Sequence, residues 1–342
     1  MTIPGQPPPS PVLKKALDQL AAGQPDEAEE TVRAAAVAAK SQAGSGSLPL
    51  ARAYADMARL HFRTGEYKKA AAEFKHACNG PMPLDAAGRK DRLSFMYGFA
   101  AALDALGNSG DAEKVLRQCV TFARNLYTPT AAGYAAALEP LARLLLRAGK
   151  TAEAAQLMDE AYDVLWKLGD RTISAAIATR AETLKAAGRA DNPFADLGHL
   201  PDELVAETVA HTVGRAGTGD GPRVRSVLAE LLKFLDKKYG DAHPTTADAL
   251  AAVAHHEAAL GENGDPDVRV SATRRAVWSF ASRRVPGGLV KSLEVGFEPG
   301  GTIHLVPLLA RDPTPTEAAQ LEAVLTQAVD DLYARPGRRL AT

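Results

Sequence analysis

Three stretches of this chain carry residue types that could do chemistry. Ala148-Gly149-Lys150-Thr151 has the closing residues of a phosphate-binding loop, in which glycine N–H groups cradle phosphate and the lysine reaches it. That loop also needs a glycine five residues before Gly149, and Leu144 stands there. His255-His256-Glu257 offers metal ligands, but adjacent residues point apart on a helix. Two imidazoles share a face only at a spacing such as His-Glu-x-x-His. Cys78 and Cys119 are the only cysteines, too few for a disulfide framework and suited to a reducing compartment. No Gly-x-Ser-x-Gly elbow and no Gly-x-Gly-x-x-Gly fingerprint occurs. The carboxylates are scattered, as on solvated helix faces with i,i+4 partners. No catalytic residue, cofactor or metal is therefore expected, and the chain is read as a non-enzyme.

The elements that would position these residues repeat. Gly23, Gly65, Gly107 and Gly149 follow one another at intervals of 42 residues. Five residues after each stands an alanine (Ala28, Ala70, Ala112, Ala154), and seven before each another (Ala16, Ala58, Ala100, Ala142). Twelve after each stand the small residues Ala35, Ala77, Cys119 and Ala161, and nine after each the large apolar Val32, Phe74, Leu116 and Met158. Five columns in one register describe a helix, a tight turn and a second helix packed antiparallel on the first. Glycine ends the first helix because it tolerates a left-handed backbone. The small columns mark close helix crossings, and the large column fills the space beside them. Gly44-Ser-Gly-Ser47 and Asn79-Gly-Pro-Met-Pro83 are the loops between units.

Tyr54, Ala58, Gly65, Tyr67, Ala70, Phe74 and Ala77 resemble the signature of the tetratricopeptide repeat (TPR). The unit is longer than the usual repeat of about 34 residues and is similar to the kinesin-light-chain class. Tyr239-Gly-Asp-Ala-His-Pro-Thr-Thr-Ala-Asp-Ala-Leu250 resembles the linker between repeats of that class, with Pro244 early in the next helix. After residue 190 the register drifts. Gly188, Gly217 and Gly261 each follow an alanine by seven residues (Ala181, Ala210, Ala254), as in degenerate repeats with inserted loops, one of them Ala190-Asp-Asn-Pro-Phe-Ala-Asp-Leu-Gly198. Pro140 should kink or start its helix.

The resemblance implies a groove lined by the first helix of each pair. Counting back from the glycines places Arg52, Arg59, Arg63, Tyr97, Arg143 and Arg147 on it, with Lys185 extending the row. Arginine grips carboxylates through a planar fork, so the functional expectation is a protein or peptide partner, in particular an acidic segment. The alternatives are a solvated helix face, with Asp56 and Glu139 offsetting charge, and self-association into a homo-oligomer. The columns that hold asparagines in chaperone-tail-binding TPR proteins carry Lys14, Asp56, Gly98 and Pro140, so chaperone-tail binding is not expected. The late repeat carries Ala251-Ala252 in place of the asparagines of kinesin-light-chain cargo helices.

Beyond Arg284 the pattern changes. Leu289–Phe297 and Thr302–Leu309 alternate as two strands around the Pro299-Gly-Gly301 turn signal. Pro307 argues for an edge or a strand end. Thr314-Pro-Thr-Glu317 is a capping box with proline at the first helical position. The helix that follows carries Ala319, Leu321, Leu325, Val329 and Leu332 largely on one face. An enzyme or ligand sensor with its site at this junction would look first to His304 and Arg311.

Composition agrees with a folded helical protein. Among 342 residues 46% are hydrophobic and 24% charged, aromatics are only 6%, and the formal charge is −1. Near neutrality gives no electrostatic case for nucleic acid or membrane partners. The N-terminus shows no basic and apolar leader, no apolar run reaches membrane length, and a cytoplasmic, bacterial setting is expected. The expected architecture is mainly α: a Pro-rich lead-in over 1–10, a TPR-type α-solenoid of about six antiparallel helix pairs over 11–284, and a β-hairpin plus helix over 285–338. Its expected role is a binding scaffold or adaptor.

Overall fold

A computed structural model describes residues 8–189, 192–216, 221–240, 243–260, 263–285, 288–297 and 303–334. The lead-in up to Pro7, Ala190 and Asp191, Gly217, the linker residues Asp241 and Ala242, Gly261, and the Pro299–Gly301 turn lie outside the described residues, as does the Leu332 side chain. The chain forms two compact units, Met1–Asp170 and Arg171–Thr342.

The first unit is a stack of four helix pairs: α1 (Pro11–Ala21) with α2 (Pro25–Ala43), α3 (Leu48–Arg63) with α4 (Tyr67–Cys78), α5 (Ala86–Ala105) with α6 (Ser109–Tyr127), and α7 (Ala132–Arg147) with α8 (Thr151–Leu168). Each first helix ends on the column glycine, at φ +79°, +82°, +80° and +77° for Gly23, Gly65, Gly107 and Gly149. The following N–H donates back to the fifth residue before it: Gln24 to Gln19, Glu66 to His61, Asn108 to Leu103 and Lys150 to Leu145, all at 2.8–3.0 Å. This is the Schellman closure that glycine permits. The second helix then starts within three residues and must run back along the first.

The alanine columns do what their size demands. Ala28, Ala70, Ala112 and Ala154 are fully buried, as are Ala16, Ala58 and Ala142. The large column (Val32, Phe74, Leu116, Met158) is buried beside them, while Ala35 is only half-buried. Besides their own partners, α3 touches both α1 and α5, so first helices neighbour first helices. Pro140 neither starts nor ends α7, which runs through it.

The second unit begins with α9 (Ile173–Ala186) and α10 (Asp202–Ala216), joined through a short 3-10 turn over Ala195–His199. Gly188 repeats the earlier turn: its φ is +67° and the Arg189 N–H donates to Leu184 at 3.0 Å. Helix α11 (Gly221–Lys238) packs on α9 and on α12 (Pro244–Ala259), and α12 pairs closely with α13 (Pro266–Ala281). Pro244 occupies the first turn of α12, with His243 as its cap.

Strands β1 (Val290–Phe297) and β2 (Ile303–Leu309) pair antiparallel, Leu293 opposite Pro307, and α14 (Pro315–Ala334) follows. The capping box forms: the Thr314 N–H donates to Glu317 at 2.9 Å and the Glu317 N–H to the Thr314 hydroxyl at 3.3 Å. Leu293 of β1 and Leu321, Leu325 and Ala328 of α14 join Ala276, Val277 and Phe280 of α13 in one apolar core. The hairpin and helix thus close the apolar face of the last helix pair, as a terminal unit of stacked repeats requires. Among the described residues no helix is long and apolar enough to cross a membrane.

Candidate functional site

Helix α4 has 12 residues, whereas α2, α6 and α8 have 19, 19 and 18. It stops at Cys78 because Pro81 and Pro83 follow, and proline both lacks an N–H and disfavours helix in the residue before it. The missing turns would have covered α5. Their absence leaves a cleft of about 660 Å³ between the end of α4, the 79–85 connection, α5 and α6.

Its lining follows helical periodicity. Arg92, Met96 and Phe99 share one face of α5, and Val115, Gln118, Phe122 and Asn125 share one face of α6. Met96, Phe99, Val115 and Phe122 are half-buried and form an apolar floor. At the lip Met82 is 53% exposed and Leu84, two residues on, 93% exposed. Asn79, Gln118 and Asn125 bring carboxamides that both donate and accept. The charged lining residues are Lys75, Arg92 and Arg117, and none of the thirteen lining residues is acidic or histidine.

The three cations differ in availability. The Arg92 guanidinium is buried and donates to the Gly80 and Pro81 carbonyls, stitching the connection onto α5. Arg117 is held by Glu113 and, across to α8, by Glu153 at 2.7 Å. Hydrogen bonds to these two carboxylates hold its guanidinium charged. Lys75 is exposed and has no ion-pair partner among the described residues. Burial pushes the Cys78 thiol up to about 11 and the Cys119 thiol up as well. Neither cysteine is a thiolate nucleophile near neutral pH.

The first-helix face read from the sequence is more occupied than open. Arg59 is buried, 8% exposed, and donates to Asp56 at 3.2 Å and to Ser94 of α5 at 3.3 Å. Asp56 in turn accepts from Ser10 at 2.5 Å. Burial raises the Asp56 carboxyl despite Ser10 and Arg59, and lowers the Arg59 guanidinium despite Asp56. Arg52 is bound to Asp91 of α5 at 2.6 Å and Arg147 to Asp104 of α5 at 2.5 Å. Tyr97 is buried, and burial pushes its hydroxyl up. Arg143 is half-buried, and Arg63 is exposed at the end of α3. Lys185 binds Glu230 at 3.3 Å. The arginines of α3 and α7 are thus interleaved with Asp91 and Asp104 of α5. Gly98 lies under Phe74: a Cβ there would come within 2.3 Å of the ring.

Two buried networks carry no sequence motif. His61, 3% exposed, sits between Glu73 of α4 at 2.8 Å and Glu29 of α2 at 4.0 Å. The Glu73 hydrogen bond raises its pKa, against burial. Glu257, 2% exposed, receives both arms of Arg225 at 2.7 and 2.6 Å and the Asp265 N–H at 2.7 Å. Burial pushes its carboxyl up, and these donors more than offset that and hold it low. Glu257 therefore binds α11 and the start of α13 to α12, and His256 beside it is also buried. Arg311 pairs with Glu317 of the capping box at 2.6 Å, and His304 is exposed on the hairpin. Among the described residues no group of three or more His, Cys, Asp or Glu could hold a metal ion.

No family model matches the chain, and no curated protein matches it in sequence. Solved structures do match. A kinesin-light-chain protein of Podospora anserina with nearly identical TPR-like repeats is 16% identical, over 68% of this chain and 96% of that one, at a TM-score of 0.41. BtubC (BKLC) of P. vanneervenii is 13% identical over 75% and 95%, with a TM-score of 0.45. The Rap conjugation gene regulator of plasmid pLS20, solved with the Phr* peptide, is 12% identical over 78% and 72%, with a TM-score of 0.42. Glycine-closed helix pairs crossing at buried alanines make this chain's own fold tetratricopeptide-like.

Proposed function

We propose that this chain is a protein-binding scaffold whose first unit takes an extended, carboxylate-bearing segment of a partner in the cleft left by the short α4. One observation carries the reading. The cleft combines an apolar floor with carboxamides and one exposed cation, Lys75, that has no ion-pair partner among the described residues, and no carboxylate is among its lining residues. Apolar side chains of the segment would sit on Met96, Phe99 and Phe122. The carboxamides can answer both the N–H and the C=O of an extended backbone. Lys75 supplies a cation that no ion-pair partner among the described residues holds, and Met82 and Leu84 offer apolar surface that already stands in water. Methionine adapts its shape to varied ligands.

The first-helix arginines support this reading less. Arg52, Arg59 and Arg147 already bind Asp91, Asp56 and Asp104, so an acidic ligand would have to displace internal carboxylates. Two unbridged cysteines suit a reducing, cytoplasmic setting.

Selection of displayed peptides on the purified chain tests the proposal. Recovered peptides should combine aliphatic side chains with Asp, Glu or a free C-terminus. Their affinity should fall at least tenfold on the variant Lys75→Glu with Met96→Lys, whose changes lie at the cleft surface, and stay within twofold on Arg52→Glu with Arg147→Glu. Equal binding to the cleft variant would end the proposal.

A further inference from the structure

The inner face of the hairpin is fully covered at one residue only. Leu293 of β1 is 3% exposed beneath α13 and α14. On β2 the residues of the same face, Ile303, Leu305, Pro307 and Leu309, are only half-buried. They look across a trough of about 480 Å³ at Leu321, Leu325 and Val329 of α14. On α14 the apolar lining recurs at three and four residues, one stripe of the helix. The β2 wall runs for about 20 Å, and the stripe from Ala318 to Val329 for about 17 Å. A helix of about three turns has that length.

Charge narrows the occupant. Glu322 and Asp330 stand on the α14 rim, about 12 Å apart along its axis. Both are exposed and in no ion pair among the described residues. None of the twelve residues lining the trough is Lys, Arg or His. An apolar channel with two uncompensated carboxylates attracts a cationic partner and repels an acidic one.

Backbone geometry narrows it further. The Ala310 N–H donates to Leu289 at 2.9 Å on the β1 side. Along β2 the even-numbered N–H groups therefore face β1, and the odd-numbered ones face the open edge. At the middle of that edge stands Pro307, which has no N–H. An added strand would lose its central hydrogen bond there, so the edge is blunted against strand pairing. A helix satisfies its own backbone and needs only the apolar trough.

We infer that the trough between β2 and α14 is a docking site for a basic amphipathic helix of a partner protein. Its apolar stripe, at i, i+3 or i+4, and i+7, lies between Leu305, Leu309 and Val329. Lys or Arg about eight residues apart on its flank meet Glu322 and Asp330. This site lies in the second unit and does not depend on the cleft of the first.

The test titrates the full chain into a fluorescent, end-blocked 14-residue peptide with Leu at positions 1, 4, 8 and 11 and Lys on the flanks. Controls are a scrambled peptide of the same composition and the same pattern with Glu replacing Lys. The patterned cationic peptide should bind at least tenfold more tightly than either control. Glu322→Lys with Asp330→Lys, both at exposed positions, should weaken it at least tenfold, and so should Val329→Glu with helicity retained. Equal binding of the scrambled peptide would reduce the effect to charge alone and overturn the docking site. Binding seen only after removal of residues 335–342, which include Arg335, Arg338 and Arg339, would assign the trough to the chain's own basic segment instead. Light scattering that shows a dimer broken by Val329→Glu would assign it to a second copy. Either result overturns the partner-helix proposal.

Discussion

Replacing Gly98 by alanine tests the stacking of the second and third helix pairs at a single atom. Gly98 is inside α5, where alanine is intrinsically better by about 1 kcal/mol. On an isolated helix the change would therefore stabilise. In the stack, an added Cβ would stand 2.3 Å from both Cε1 and Cζ of Phe74 and 2.8 Å from Cδ1. Carbon atoms settle at about 3.5–4.0 Å, so the ring must retreat by more than about 1 Å. Phe74 is 0% exposed and has no solvent side to swing into. Overpacking costs about 1–3 kcal/mol, and displacing a fully enclosed ring by more than about 1 Å falls in the upper part of that range, about 2–3 kcal/mol, which exceeds the propensity gain. A net loss of about 1–2 kcal/mol should lower the melting temperature by about 2–8 °C for a unit of this size. The assay is urea and thermal unfolding of wild type, Gly98→Ala, Phe74→Leu and the double variant, followed by circular dichroism. Phe74→Leu alone should destabilise by leaving space. The double variant should be more stable than the sum of the singles by about 1 kcal/mol or more, since leucine frees the volume that the methyl fills. A Gly98→Ala protein as stable as wild type, or strictly additive singles, would refute the reasoning.

The Asp56–Arg59 pair gives a second expectation. Both side chains are about nine-tenths buried, so Arg59→Met should cost about 3–5 kcal/mol by stranding Asp56, while Asp56→Leu with Arg59→Met should return to within about 1 kcal/mol of wild type; urea midpoints that rank the double variant below the single would contradict it. His61 gives a pH dependence. Its folded pKa is raised by Glu73, so its contribution is fully present below about pH 6.5, the unfolded value, and is lost as pH rises through the higher folded value. His61→Asn should flatten that part of the melting-temperature profile, and a variant with the wild-type slope would show that another group carries it.

The local chemistry of the fold could be read from the chain because each signal is complete within about ten residues. A glycine that must take positive φ, a proline in the first turn of α12, and Thr314 facing Glu317 across one turn need no partner from elsewhere. The small-residue columns were legible for a related reason, since only alanine-sized groups let helix axes approach at every repeat. What one chain segment does to another was harder to read. Gly98 shares a column with Lys14 and Asp56, yet it lies under Phe74, 24 residues earlier. There the residue nine after one glycine meets the residue nine before the next. Helical phase fixes which residues share a face, but not which neighbour covers that face. Arg59 went astray likewise. Its position on the first-helix face follows from phase, but it is buried where its guanidinium reaches Ser94 one helix pair further on and Asp56, which Ser10 binds from one pair back.

The ion pairs show that some of this information was present but unread. Arg52 meets Asp91, Arg117 meets Glu153, Arg147 meets Asp104 and Lys150 meets Glu113, at sequence separations of 39, 36, 43 and 37. Each separation is close to one repeat, because adjacent pairs present equivalent positions to each other. Opposite charges about one period apart are therefore the pattern to seek in any such stack, and they identify the cations that are already taken. Among the described residues Lys75 pairs with no carboxylate, whereas Arg52, Arg59 and Arg147 of the groove each do. The cleft follows from the same bookkeeping of length. The period stays at 42 while α4 loses about two turns, so the residues removed from that helix must reappear elsewhere: some lengthen the start of α5, which has 20 residues where α3 and α7 have 16, and the rest lengthen the connection. In that connection, Asn79–Asp85, two prolines prevent the helix from resuming, and Met82 and Leu84 are left in water. A constant period with a shortened helix thus implies both an uncovered face on the next helix and a loop beside it, and the site is the consequence of that one local break.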